Sequence, residues 1–431
     1  MKPTPTGSES REPLRIAFIG VTPTDHGGVP YAATQTLLAL AERGVQIECF
    51  VALPAAGLPI ALCDRREIAL RVRRSWWQWS RWYSRTPLTA MLSGLVARST
   101  TQCQLAVAIV RRHRCLPFDA VYQFGPIELQ AVGLLRRHLP PIVLHPGVHA
   151  AGELRWHRRE AGLARQAGEP LIKRGLVRAL LAARTAVQGR DMRRASLTIA
   201  VSEVFARDLV TDYRIDADAL AVVPYPVDLE RFSPGRGEPS AQTPVTVVFV
   251  AAMSVRKGVE MIVELSHRLA DLADEVRLEL VGAARQWSDY RPLLDDLNSA
   301  VAHWHQELEP EELARLHRRT EVAVQPSHYE PGAIAFLEVL ASGIPVVASE
   351  AVGPSAGLDE TCCRRFPAGD MDAFEASVRK LVADIRGPQR SHIRHAARSE
   401  AERYFSRQAV GAGLVTALER VAGRPHGVPE P

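Results

Sequence analysis

Short apolar runs that end in Gly or Pro, each followed by a stretch with helical spacing, recur in two series along this chain. That alternation limits its fold more than any other feature. LRIAFIGVTP precedes YAATQTLLALAERG, and the same order continues through VQIECFVA, FDAVYQFG, PPIVLHPG and SLTIAVSE. Short apolar strands separated by helices need crossover connections, so they must lie parallel in a sheet covered on both faces. PYPVDLERFSPGRGEPSAQTP then breaks the pattern with Pro, Gly and Ser, as a linker does. A second series follows: VTVVFVAAM, EVRLELVGAA, TEVAVQP and GIPVVASE. The expected fold class is α/β, with one doubly wound domain over 13–226, a linker over 227–240 and a second doubly wound domain over 241–398. A single last helix is read from SEAERYFSRQAVGAGLVTALERVAG, with 403–422 expected to cross back to the first domain. Open sheets of this class bind ligands at the carboxyl ends of their strands, so the loops after strands are where chemistry is expected.

Composition narrows the function classes. The 431 residues are 46% hydrophobic and 23% charged, which describes a soluble globular chain. No apolar run approaches the roughly 20 residues of a membrane-spanning helix, and MKPTPTGSESREPLR has no apolar core of a signal peptide. A cytoplasmic location is therefore expected. The six cysteines form no CxxC, which argues against a disulfide framework or a zinc site. A formal charge of +5 suits anionic small ligands or an anionic membrane surface better than nucleic acid.

PSHYEPGAIAFLEVLASGIPVVASE, 326–350, carries the sharpest puzzle. Pro331 suits a first helical position and Gly343 a C-terminal cap, so the helix is predicted over 331–342. It is apolar nearly all round, yet Glu338 sits in its middle, and a buried carboxylate is costly unless something meets it. Glu330 lies just before the helix, where the dipole favours an acid and free N–H groups can hold a phosphate. An anionic ligand bearing hydroxyls would satisfy both. The plainer reading is a helix-start acid and a glutamate that reaches the surface.

Glu330, seven residues, Glu338 and then ASGIPVVAS closely resemble the E-x7-E signature of the retaining nucleotide-sugar glycosyltransferases of family 4, glycosyl transferases group 1. The resemblance implies the GT-B fold, two Rossmann-like domains facing across a cleft. It also implies that Glu330 contacts the transferred sugar, Glu338 the ribose, and the helix N-terminus at Gly332, Ala333 and Ile334 the donor diphosphate. DHGGVPYAATQTLLALAERG resembles the family's N-terminal glycine loop, making Gly27 and Gly28 donor-binding candidates. VFVAAMSVRKGVEM is similar to the loop whose cations neutralise the diphosphate. Lys257 holds the family's Lys position, Ala252 stands where its Arg usually lies, and Arg256 is the candidate substitute. IVLHPGVHAAGE resembles the loop whose His approaches the β-phosphate, which selects His145. A solvated Arg256–Lys257 pair and a structural His145 are the plain alternatives. His145, His149 and Glu153 imitate a metal site, but Pro146 and Gly147 argue against one helix face. Asp216-Ala217-Asp218 imitates a DxD motif and reads better as a cap. No metal and no cofactor are expected.

The activity this implies is retaining transfer of a sugar from a nucleoside diphosphate, UDP before GDP, to an acceptor hydroxyl on a lipid-linked or small molecule. A bacterial envelope glycan or a natural-product glycoside would fit as product. Alternatives are a catalytically weak nucleotide-sugar-binding subunit, motivated by Ala252, and a GT-B epimerase. RREIALRVRRSWWQWSRWYSRTP sets Trp76, Trp77, Trp79, Trp82 and Tyr83 among arginines, the composition of a helix lying on an anionic bilayer. The 65–85 segment is accordingly a candidate for peripheral attachment to the inner face of the cell membrane, with an acceptor-pocket wall, a dimer contact or core packing as rivals.

Overall fold

The computed structural model describes residues 12–25, 27–52, 57–73, 87–125, 131–166, 169–234, 244–284, 289–306 and 308–423. The first series folds as β1 (Arg15–Gly20), α1 (Gly28–Glu42), β2 (Gln46–Ala52), α2 (Ile60–Cys63), β3 (Ile68–Arg73), α3 (Pro87–Cys115), β4 (Ala120–Phe124), α4 (Ala131–Leu134), β5 (Ile142–His145), α5 (Ala150–Arg159), α6 (Ala161–Gln166), α7 (Leu171–Met192), β6 (Leu197–Ala200), α8 (Glu203–Tyr213) and β7 (Leu220–Val222). Its strands form a seven-stranded sheet in the order β3-β2-β1-β4-β5-β6-β7. The second series contributes β8 (Val245–Val250), α9 (Val259–Arg268), β9 (Val276–Val281), α10 (Arg291–Leu294), β10 (Ala302–His305), α11 (Pro310–Arg319), β11 (Val322–Gln325), α12 (Ile334–Ala341), β12 (Val346–Ser349) and β13 (Cys363–Phe366). These strands make a six-stranded sheet ordered β10-β9-β8-β11-β12-β13. Every strand pairing in both sheets is parallel.

The continuous apolar character of β1 has a direct cause. Ile16 and Phe18 join the core under α1 with Leu37 and Leu40, while Ala17 and Ile19 pack with Leu105 and Ile109 of α3 on the opposite face. Strands with both faces covered lose the polar alternation of a half-exposed sheet. The second sheet is built likewise, with Val247 and Phe249 against Ile262 and Leu265 of α9, and Val248 in the core that holds Phe336 and Leu340 of α12.

Several expectations need correction. REIALRVR belonged to the basic insert in the sequence reading, yet Ile68–Arg73 pairs with β2 as an edge strand. Arg71 is tied to Glu48 at 3.1 Å and Arg65 to Glu42 at 3.4 Å, so part of that positive charge is already neutralised within the domain. Trp76, Trp77, Trp79, Trp82, Tyr83 and Arg85 lie outside the described residues. β10 and β13 were not anticipated. The single last helix is two, α14 (Arg390–Phe405) and α15 (Arg407–Ala422), following α13 (Met371–Arg386). The break falls at Ser406, whose hydroxyl accepts from Ala409 N–H and caps α15. No helix among the described residues is long and apolar enough to cross a membrane.

α14 packs on α12 of the second domain, and α15 returns to α1 of the first. Arg407 donates to Gln35 Oε1 at 2.8 Å and pairs with Asp228 at 2.9 Å. Gly411 lets the two helices touch, since a Cβ there would stand 2.7 Å from Ala39 O. Gly411→Val should therefore lower unfolding free energy by about 1–3 kcal/mol through overpacking. Gly175→Ala on α7, where a Cβ meets nothing within 4 Å, should raise it by about 0.5–1 kcal/mol. Denaturant midpoints of both variants check the pair of signs.

Candidate active site

In each sheet the strand order reverses once, between β1 and β4 and between β8 and β11. Crossovers diverge at such a point and leave a crevice. In the second sheet the crevice is framed by the loop after β8, which carries Arg256 and Lys257, and the loop after β11, which carries Glu330. Gly258 makes their approach possible: its φ is +79°, and a Cβ would stand 2.2 Å from Pro326 O. The N–H groups of His328 and Tyr329 both reach Arg256 O, at 2.9 and 3.3 Å.

Three groups converge on the Glu330 carboxylate. Lys257 Nζ is in direct contact with Oε2, Arg256 Nη1 lies 3.3 Å from the same oxygen, and Ala333 N–H donates to Oε1 at 3.1 Å. Arg256 also donates to Tyr329 O at 2.7 Å. Burial and the Arg256 charge push the Lys257 ammonium well below its ordinary pKa. Arg256 is likewise lowered by burial, against the pull of Glu153 and Glu160. These adjacent cations do point the same way, whereas Ala252 is exposed.

The helix after Glu330 starts later than its sequence suggests. Ala333 is left-handed, with φ 35°, and helix α12 begins at Ile334. Pro331 is not its first residue, because Glu330 folds over Ala333 N–H and Pro331 O accepts from Ser202 Oγ of the first domain at 2.9 Å. Gly332, Ala333 and Ile334 thus approach the cations as a tight turn plus a helix start. Glu338 lies further along α12 and points elsewhere. Its carboxyl has no hydrogen-bonded partner among the described residues, and burial pushes its pKa from 4.5 to about 8, with only Arg231 of the linker pulling it back. Glu338 retains some contact with solvent while deeply surrounded, as in a cleft. Tyr31 of α1 senses its charge from across that cleft.

On the first domain, Gly27 has φ +83° and caps α1, and a Cβ at Gly27 or Gly28 would meet nothing within 4 Å. That helix start is open. His145 ends β5 and is buried: Tyr122 OH lies 2.7 Å from Nδ1, while Nε2 has no partner. Burial lowers its pKa to about 3, so the ring is neutral. Tyr225 stacks on it at 5.3 Å and also lies against Gly332, where a Cβ would be 2.8 Å from the Tyr225 ring. His145 is therefore separated from the Lys257–Glu330 cluster by one aromatic ring.

Tyr329 is a residue that pattern reading missed. Its hydroxyl contacts His149 Nδ1, and His149 Nε2 lies 2.8 Å from Asp212, which also holds Arg155 at 2.6 Å. Arg231, placed in a linker chosen for its Pro and Gly content, carries the charge that pulls against the burial of Glu338 and donates to Asp25 O at 2.7 Å. Neither had a local signal; only the fold brings them in. Asp216 caps a short turn by accepting from Asp218 N–H at 3.0 Å. Among the described residues no group of three His, Cys, Asp or Glu side chains is placed to hold a metal ion.

Residues 236–400 match the family described as Glycosyl transferases group 1. An MMP alpha-(1->4)-mannosyltransferase of Mycolicibacterium hassiacum is 32% identical over 62% of this chain, an alignment that spans 62% of the relative's own length. A D-inositol 3-phosphate glycosyltransferase of Geodermatophilus obscurus is 27% identical over 97% of this chain and 93% of its own. Sucrose-phosphate synthase from Thermosynechococcus elongatus superposes with a TM-score of 0.69 at 17% identity, covering 95% of this chain and 99% of that one. Anabaena Alr3699/HepE, solved in complex with UDP and glucose, gives 0.61 at 15% identity over 94% and 100% of the two chains. These likenesses establish the two-domain GT-B architecture.

The Glu338 shift sets a pH dependence. Folded protein keeps this proton up to about pH 8 whereas the unfolded chain releases it above 4.5. The folded state therefore binds more protons in that window, and stability falls as pH rises through it. Wild type should lose more melting temperature than Glu338→Gln between about pH 5 and about pH 9. Parallel pH profiles for the two proteins would contradict the buried, protonated carboxyl.

Proposed function

We propose, from the match of residues 236–400 to the glycosyl transferases group 1 family, that this protein is a retaining, metal-independent glycosyltransferase of family 4 that moves a sugar from a nucleoside diphosphate to an acceptor hydroxyl. The observation that carries the reading is the convergence of Lys257 and Arg256 on Glu330 at the turn into α12. A donor diphosphate would replace the glutamate as counter-ion to the two cations, with N–H groups of the turn at Gly332, Ala333 and Ile334 completing its cradle. Glu330, released from them, would then accept from hydroxyls of the sugar. Glu338 reaches the ribose hydroxyls and Gly27 and Gly28 let the first domain close on the donor. His145 takes part once Tyr225 swings from between it and Gly332.

In the transfer step the acceptor oxygen bonds to the anomeric carbon on the face from which the diphosphate departs. The anomeric C–O bond breaks, and the leaving phosphate oxygen takes the acceptor's proton. Growing negative charge on that oxygen is what Lys257 and Arg256 stabilise, in a site shielded from water by domain closure. A UDP-linked sugar is the donor we favour, in keeping with the UDP bound by the Anabaena neighbour. The mannosyltransferase and the inositol 3-phosphate glycosyltransferase named above both come from bacteria, and the product we favour is a bacterial envelope glycan or glycoside. The Trp-rich segment would hold the protein against an anionic membrane face.

Melting curves with UDP, GDP and their sugars test the donor site, since a ligand at about 100 times its Kd adds roughly 2.7 kcal/mol. One nucleotide family should stabilise wild type, with the response lost in Lys257→Ala and reduced in Glu338→Ala. Lys257→Ala should also lower turnover by about 100- to 1,000-fold. A folded wild type that answers to none of these ligands would refute the reading, and an inverted anomeric configuration in the product would refute its retaining part.

A further inference from the structure

Helix α7 presents an apolar side to solvent. Its buried face, with Arg174, Leu181, Gln188 and Met192 at helical spacing, packs toward α5 and α8. The opposite face carries Ile172, Gly175, Leu176, Ala179, Ala183 and Ala186, also at helical spacing, and each of them is exposed. A solvated helix face is normally the polar one, yet this one holds no charged side chain over roughly four turns. Its amino-terminal end is the most apolar part, with Leu171 76% exposed, Ile172 81% and Leu176 48%. The second domain leaves it uncovered, because it is met by Trp156 and Glu160 on the preceding segment.

The charges around this face select its partner. Lys173 on one flank and Arg178 on the other are exposed, as are Arg158 and Arg159 of α5 and Arg165 of α6. No acid among the described residues from Ala150 to Met192 is exposed, and Glu169, whose side chain is 6% exposed, pairs with Lys173 and Arg174. A second copy docking here symmetrically would set like cations against each other, and the arginine-rich 65–85 segment carries the same sign. Aliphatic side chains flanked by cations, on a helix lying along the surface, match the boundary between lipid phosphates and acyl chains. We propose that the amino-terminal half of α7 seats on an anionic lipid bilayer, with Leu171, Ile172 and Leu176 at the acyl boundary and Lys173 and Arg178 among the phosphates. This contact is separate from the Trp-rich segment, since β3, which precedes that segment, is an edge strand, whereas α7 lies in the crossover between β5 and β6 toward the other edge. It stands on this face alone and does not depend on the transferase reading.

Co-sedimentation of the full chain with vesicles tests the proposal, comparing equimolar phosphatidylglycerol and phosphatidylcholine with phosphatidylcholine alone. Wild type should bind the anionic vesicles more tightly and release them as salt rises. Leu171→Ser combined with Ile172→Ser should weaken that binding about ten- to a hundredfold through lost apolar burial. Lys173→Gln and Arg178→Gln should each weaken it about fivefold. Melting temperatures should stay unchanged in all of these variants, because the four side chains are exposed. Ile172→Trp should bind more tightly, as an interfacial aromatic does. Three results would each overturn the inference. One is a wild type that ignores anionic vesicles. Another is binding indifferent to the serine pair and both glutamine variants, which would assign it to the Trp-rich segment. The third is a wild-type dimer, seen by light scattering, that the serine pair dissolves, which would assign the face to a second copy.

Discussion

Glu330 sits where two loops, one helix and two cations meet, and its carboxylate satisfies three donors at once. Two cations packed side by side in a poorly solvated crevice repel each other, and burial further penalises their charge. A single acid on the neighbouring loop offsets both effects, and it can do so only because the strand order reverses between β8 and β11 and Gly258 lets the loops touch. The same acid caps Ala333, which delays the helix and turns Pro331 O toward the first domain. Loss of that carboxylate would therefore disturb charge balance, helix start and domain contact together.

Polar pairs join the domains beside an apolar core that runs through both. Tyr329 meets His149, Tyr290 meets Glu160, Ser202 meets Pro331 O, and Trp156 stacks on His328 at 5.4 Å. Hydrogen bonds of this kind contribute about 0.5–1.5 kcal/mol each after exchange with water. A nucleotide sugar entering between the domains would compete with these contacts directly. They also surround the cations, so part of what holds the domains together lies beside what the ligand must reach.

Strands buried on both faces were legible because their apolar runs are continuous: β1, β2, β4, β5, β8 and β9 stand where the runs are. IALRVR, AHWH and CRRF were not, since they form β3, β10 and β13 at or next to sheet edges, where one side tolerates polar residues and the apolar signal thins. The site was half legible. Spacing and resemblance singled out Glu330 and Lys257, which the structure brings into contact. They could not show Tyr225 lying over His145, Arg231 near Glu338, or the side chain of Glu330 displacing the helix start, because each depends on residues distant in sequence. The break at Ser406 had a local signal, a serine able to cap, that the long amphipathic pattern around it obscured.

The return of α15 to α1 has a consequence for how the chain is made. Leu414 and Leu418 of α15 belong to the same core as Leu37 and Leu40, so the first domain is not continuous in sequence. Chains emerge from the ribosome amino end first, and domains generally fold as they emerge. Here the amino-terminal domain lacks part of its cover until the last described residues have been synthesised, and the second domain, complete earlier, must deliver that helix to it. Val227 N–H bonds Phe405 O at 2.8 Å where the chain crosses between domains in both directions. A protein truncated after α14 would thus present a finished second domain and an unfinished first one, with an apolar face of α1 left uncovered for chaperones or neighbouring chains to find.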